Sequence, residues 1–259
     1  MDPTVKPTVT TKDGSPKEPA ARVAARPDEK QAALYAAEER WERTKSNVKT
    51  IVGAVALAVF IRIVLFEAFE IDGPSMEPSL LHGDRVVVAK YPFGLFLPFT
   101  NDAIASWGMP EVGDIVIVRS PADDVDIVKR VIGVPGDTVE IRDDVVYRNG
   151  EQIHRRVVGP CHDEEQVQPS IDCQIIEEGV GELRWRTSAD EHYLPESMPP
   201  QTVPPGHIFV LGDHRDHSND SRNPRVGMIP IQRVKGRVMA IYWSSYLDIR
   251  WDRMFHAVE

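Results

Sequence analysis

Three polar clusters in this chain carry side chains able to do chemistry: Ser75 in IDGPSMEP, Lys129 in DIVKRVIGVPGD, and the loop GDHRDHSNDSR from Gly212 to Arg222. Each residue type also has an ordinary use. A serine after Gly-Pro is a common turn residue, a strand lysine usually faces water, and an Asp/Asn/Ser-rich loop often hydrogen-bonds to itself. Together they offer more. A serine hydroxyl is a weak nucleophile until a neighbouring base takes its proton, and a lysine is that base only when neutral. Its reference pKa of about 10.4 must then fall to about 7, costing the ammonium form about 4 kcal/mol, and burial among apolar groups supplies such a penalty.

Strand parity leaves open which cation is buried. Lys129 shares one face of its strand with Ile127 and Val131, and Arg130 shares the other with Val128 and Ile132, so both faces are apolar. An arginine does not readily lose its proton and would be the poorer base.

Other catalytic patterns fit less well. Gly73-Pro74-Ser75-Met76-Glu77 lacks the second glycine of a nucleophile elbow, and no strand-helix alternation supports an α/β-hydrolase sheet. Ser46-Asn47-Val48-Lys49 matches S-x-x-K, but it lies in a helix on the cytoplasmic side of an apolar run and lacks the partner motifs. In the polar loop, Asp213, His214, Asp216, His217 and Asp220 are metal-ligand types, yet Arg215 and Arg222 bring positive charge among them. The glycine and terminal glutamate of a calcium loop are missing too. No metal site and no cofactor are expected.

The elements that position these residues begin with IVGAVALAVFIRIVLF, residues 51–66. A helix of that length covers about 24 Å of a hydrocarbon core about 30 Å thick, and its neighbours extend it, so a single membrane span is placed at 48–67. Arg40, Arg43, Lys45 and Lys49 precede the run and Glu67, Glu70 and Asp72 follow it, which puts residues 1–47 in the cytoplasm and 68–259 outside. The first thirty residues have almost no large apolar side chains and read as a disordered tail, followed by a helix from about Gln31 to Lys49.

The exported part reads as an antiparallel, mostly β body. DRVVVAKY, DIVIVRS, DIVKRVIG, TVEIR, VVYRNGEQI, HIFVLGD and GRVMAIYW are short, rich in Val and Ile and bounded by Gly, Pro and Asp. A hairpin is expected at Asn149-Gly150. Residues 140–205 are more acidic and irregular and read as a smaller inserted β-rich lobe. It carries Cys161 and Cys173, the two cysteines of the chain, whose pairing outside the cytosol would add about 3 kcal/mol. A formal net charge of -10 argues against nucleic acid as a partner.

With GPSMEPSL, GDRVVV, GDIVIV, KRVIGVPGD and GDHRDHSNDSR in this order behind an apolar run, the chain resembles the bacterial type I signal peptidases, membrane-bound Ser/Lys peptidases. The resemblance covers most of residues 50–245. It implies that Ser75 is the nucleophile and Lys129 the general base, that Ser218 orients the lysine, and that Asp220 and Arg222 brace the site. It implies further that signal peptides of exported preproteins are cut after a small-x-small motif at the inner membrane. Shallow pockets for those small residues fall on Ile71, Met76, Leu80, Val86 and Val128. The Ser75 amide would stabilise the oxyanion. One branch of the family has a hydroxyl where this chain has Gly73, so the second oxyanion donor stays open. YPFGLFLPFTND, residues 91–102, is expected to dip into the lipid interface. The competing readings are a self-cleaving cytosolic repressor, disfavoured by the apolar run, and an inactive membrane-anchored binding module.

Overall fold

The Val- and Ile-rich runs become strands because branched side chains suit a pleated surface buried on at least one side. The computed structural model describes residues 28–96, 103–161, 172–190 and 194–258. The expected disordered tail therefore lies almost wholly outside the described residues, as does 97–102 of the apolar segment.

A single helix, α1 (Glu29–Val64), runs from the charged stretch into the apolar run without a break. Among the described residues, its apolar side chains from Val48 to Ile61 are exposed: Val52 is 60% exposed and Phe60 59%. A core helix would be buried, so this one is compatible with an apolar medium other than protein. The helix ends before the end of the expected span. Residues 66–70 form a strand instead, because their backbone pairs with 85–89.

The strands follow as β1 (Phe66–Glu70), β2 (Asp84–Ala89), β3 (Gly94–Phe96), β4 (Ala103–Ser106), β5 (Ile115–Arg119), β6 (Asp126–Gly133), β7 (Thr138–Arg142), β8 (Val145–Arg148) and β9 (Glu151–Gln152). Then come β10 (His154–Pro160), β11 (Cys173–Val180), β12 (Leu183–Asp190), β13 (Met198–Thr202), β14 (His207–Leu211), β15 (Ile229–Pro230), β16 (Val234–Ser244) and β17 (His256–Ala257). The main sheet has the order β1-β2-β16-β5-β6-β14-β15, with β17 against β16, and its pairs are antiparallel. Both of its faces are covered. Ile115 and Ile117 of β5 pack with Met76, Leu80 and Val88, whereas Val116 and Val118 pack with Val131, Val210 and Ile229. This two-sided burial is why the strands read as continuous apolar runs.

The segment expected to be an inserted lobe forms β10-β11-β12 and most of the sheet β13-β7-β8-β9. It shares a core with the body: Ile141, Trp185 and Met198 pack with Ile132 of β6 and Phe209 and Leu211 of β14. The expected hairpin forms, with Asn149 and Gly150 both at positive φ. Phe93, expected at the lipid interface, is instead a core residue packed near Val116 and Val226. Its place at the turn into β3 directs the ring inward.

Cys161 and Cys173 form a disulfide at the facing ends of β10 and β11, where the Cys161 amide also donates to the Cys173 carbonyl. Replacing both cysteines by serine is expected to lower unfolding free energy by about 3 kcal/mol, read by urea denaturation. An unchanged midpoint would show that the β10–β11 pairing alone holds this edge.

Candidate active site

Ser75 sits in the turn that leaves β1, between Gly73 and the core residue Met76. Gly73 has φ +94°, a conformation that side-chain-bearing residues rarely adopt, and its amide donates to His82 Nδ1 at 3.1 Å. Met76 anchors the other side, fully buried. Between them Ser75 is half-buried, and among the described residues its backbone N–H donates to no protein acceptor.

Lys129 reaches that turn from β6. Its Nζ donates to Ser75 Oγ at 2.8 Å and to the Val128 carbonyl at 2.7 Å. The side chain is 2% exposed. Burial lowers its pKa from 10.5 to about 8 against the opposing pull of the Asp220 and Asp213 carboxylates, with Arg222 adding a smaller downward push. Among the described buried cations Lys129 lacks a carboxylate in ion-pair contact, whereas Arg130 and Arg215 each have one.

The parity question is answered by both residues being buried on opposite faces. Arg130 makes a two-pronged pair with Asp213, Nε to Oδ1 at 2.9 Å and Nη2 to Oδ2 at 2.8 Å, and also donates to the Gly113 carbonyl at 2.8 Å. Its guanidinium stacks over Trp185. Arg130 thus ties β6 to the start of the polar loop.

Asp220 is fully buried. Desolvation alone would raise its pKa, but hydrogen bonds and charge from Arg222, together with the Gly212 amide, outweigh it and hold the carboxyl below its usual value. Arg222 donates to both Asp220 oxygens at 2.9 Å and to Glu196 at 3.0 Å. Ser218, expected to orient the lysine, makes no hydrogen bond to it among the described residues; its buried hydroxyl lies against Gly212. Of the expected pocket residues, Ile71, Met76, Leu80 and Val86 are buried in one core cluster, and Val128, packed against it, keeps a partly open side.

Several residues around the site were not legible as such. Ser188 of β12 donates its amide to the Asp213 carbonyl, accepts from the Arg215 amide, and sends its hydroxyl to the Glu77 carbonyl. Glu178 of β11 pairs with buried Arg215. The segment that carried no chemistry in the sequence therefore buttresses the polar loop. His214 donates its amide to the Ser75 carbonyl at 3.2 Å. Burial, then the neighbouring His217, holds its imidazole down to about 4, so it is neutral at physiological pH. Gly212 was in the quoted loop without a role, although its position directly after HIFVL was the available signal.

A family model described as signal peptidase, peptidase S26, matches residues 44–243. A signal peptidase I from Pseudomonas aeruginosa is 32% identical over 217 residues, covering 80% of this chain and 74% of that protein. One from Rickettsia massiliae is 30% identical over 233 residues, 82% of this chain and 86% of the other. A crystal structure of a signal peptidase I from Enterococcus faecalis V583 is 29% identical and covers 51% of this chain and 98% of its own, with a TM-score of 0.30.

A Cβ on Gly212 would lie 2.2 Å from Ser218 Oγ and 2.5 Å from the Ser75 carbonyl oxygen. Gly212→Ala is accordingly expected to displace the Ser75 turn and lower stability by about 1–3 kcal/mol, read by urea denaturation. A wild-type midpoint would mean that this contact is loose.

Proposed function

The chain belongs to the signal peptidase family, peptidase S26, and is a serine peptidase; from that premise we propose that Ser75 and Lys129 are its nucleophile and general base. The observation that carries this reading is the 2.8 Å hydrogen bond between a buried lysine and a half-buried serine. In the neutral lysine the bond runs the other way, Ser75 O–H to Nζ, and Oγ attacks the carbonyl carbon of the scissile peptide bond as its proton passes to Lys129. The Ser75 N–H is the donor aimed at the developing oxyanion; the Gly73 N–H is already engaged by His82, so it is not the second donor. Collapse of the tetrahedral species returns the proton from Lys129 to the leaving amine, leaving an ester on Ser75. Water then adds to that ester with Lys129 again as base, and the signal peptide leaves as a carboxylate.

Two further features support the same reading. Among the described residues β6 pairs with β14 only from Arg130 onward, so residues 126–129 are paired with β5 alone and leave a backbone edge for an extended substrate. Cleavage after a small-x-small motif suits this edge, with Val128 on its open side. The exposed apolar part of α1, preceded within the same helix by Arg40, Arg43, Lys45 and Lys49, is the membrane anchor, N-terminus in the cytoplasm and residues 68–259 outside. Leu247, Trp251 and Phe255, each at least 71% exposed after β16, are the lipid-facing side chains of the body.

In detergent, the purified chain is expected to cut a preprotein with an Ala-x-Ala site, and Ser75→Ala and Lys129→Met each to lose at least about 100-fold in kcat/KM while staying folded. Normal cleavage by Lys129→Met would remove the lysine from the mechanism. An inert wild type would leave a membrane-anchored binding module.

Because the neutral lysine is the active form and its pKa is lowered to about 8, kcat/KM should climb with pH and level off above about 8. A limb centred near 10 would mean the lysine is solvated in the working enzyme.

Trp251→Ala with Phe255→Ala should slow cleavage of a vesicle-embedded preprotein and spare a short soluble peptide. Equal loss on both substrates would place these side chains in the fold rather than at the lipid.

A further inference from the structure

Next to the Ser75 turn, whose carbonyl accepts from the His214 amide, lies a cluster the peptidase chemistry does not use. It joins His214 and His217 of the polar loop to Asp190 at the end of β12, and their ligand-type atoms all lie within 4.8 Å of one another. His214 is 4% exposed, and among the described residues neither ring nitrogen meets hydrogen-bond geometry, the Pro74 backbone making only a weak contact. A buried imidazole without a partner costs free energy that a ligand would recover. Its Nε2 points toward Asp190 Oδ1 at 4.0 Å and its Nδ1 toward Glu77 Oε2 at 3.9 Å. His217 Nε2 lies 3.0 Å from Asp190 Oδ2, with its ring edge-on to His214. A cavity of about 370 Å³, lined in part by Glu77, His82, His214 and His217, opens onto the cluster.

From this geometry we propose that His214, His217 and Asp190 form a zinc site, with Glu77 as the outer carboxylate that receives the Nδ1–H of His214. Two imidazoles and one carboxylate are a donor set zinc favours, and the cavity supplies room for a water in the fourth position. A carboxylate on the far nitrogen fixes the tautomer that presents Nε2 to the metal. The objection from nearby arginines does not hold in three dimensions. Arg215 is turned to Glu178, and Arg222 to Asp220 and Glu196. Asp213 and Asp220, which looked like ligands in sequence, are spent on Arg130 and Arg222. Bringing the three donors around one ion takes small rotations of His217, whose side chain is 42% exposed, and of Asp190.

The site would bind a metal between the polar loop and β12, on the segment whose His214 amide holds the Ser75 carbonyl. It therefore braces the nucleophile turn through its backbone.

The test is zinc binding by the full-length, untagged chain in detergent after chelator treatment, followed by equilibrium dialysis and by the visible spectrum with cobalt in place of zinc. One zinc per chain is expected, with a tetrahedral cobalt spectrum and no competition from magnesium or calcium. His217→Ala, an exposed position that folding tolerates, should abolish stoichiometric binding, and Glu77→Gln should weaken it about 10- to 100-fold. Failure of the wild type to bind zinc, or equal binding by wild type and His217→Ala, would overturn the site. Neither result bears on peptide cleavage, which is read separately, so the zinc proposal and the peptidase reading can fail independently.

Discussion

Everything around Ser75 is arranged to keep one ammonium group dry. Holding Lys129 at about 8 rather than 10.5 costs its charged form about 3 kcal/mol relative to water. A carboxylate in ion-pair contact would erase that penalty, since such a pair recovers about 4 kcal/mol at the effective dielectric of a protein surface and more inside. The structure avoids this while placing two buried carboxylates nearby. Asp213 is committed to Arg130 and Asp220 to Arg222, so each negative charge reaches the lysine already neutralised at closer range. Desolvation then outweighs the remaining attraction.

Those pairs must themselves be positioned, and that is the task of the segment 140–205. Ser188 bridges the backbone of the polar loop and the Glu77 carbonyl, and Glu178 neutralises Arg215 inside it. Trp185 carries the same strand into the core shared with β6 and β14, beneath the guanidinium of Arg130. A loop as polar as residues 212–222 would otherwise prefer solvent. Here it is held by hydrogen bonds from both the main sheet and the added one, and Gly212 permits the close approach of Ser218 and the Ser75 carbonyl.

The strands of the body were legible because branched apolar runs bounded by Gly, Pro and Asp have few other uses, and the turn at Asn149-Gly150 was legible because both residues accept positive φ. The start of β1 was not: Phe66 and Glu67 continue the apolar run and its acidic flank, and only pairing with Ala89 and Val88 makes them strand. The pocket positions were hard for a related reason. A sheet buried on both faces gives Ile71, Met76, Leu80 and Val86 the same apolar signature whether they pack inward or line a cleft, and they pack inward. For Phe93 too, the sequence showed an aromatic between prolines but not which way the turn would point it.

By itself the sequence determined the residue types: a serine in a Gly-Pro turn, adjacent basic residues in a strand, a polar loop behind another strand, and an apolar run ahead of them all. Local pattern suffices for these because period and turn chemistry are properties of neighbouring residues. Only the tertiary structure decided that Lys129 meets Ser75 while Arg130 meets Asp213, that Ser218 abuts Gly212, and that His214 and His217 gather with Asp190. Those contacts join residues up to 83 positions apart. They depend on strand order and on which charges neutralise one another, and neither is written in any local stretch of the chain.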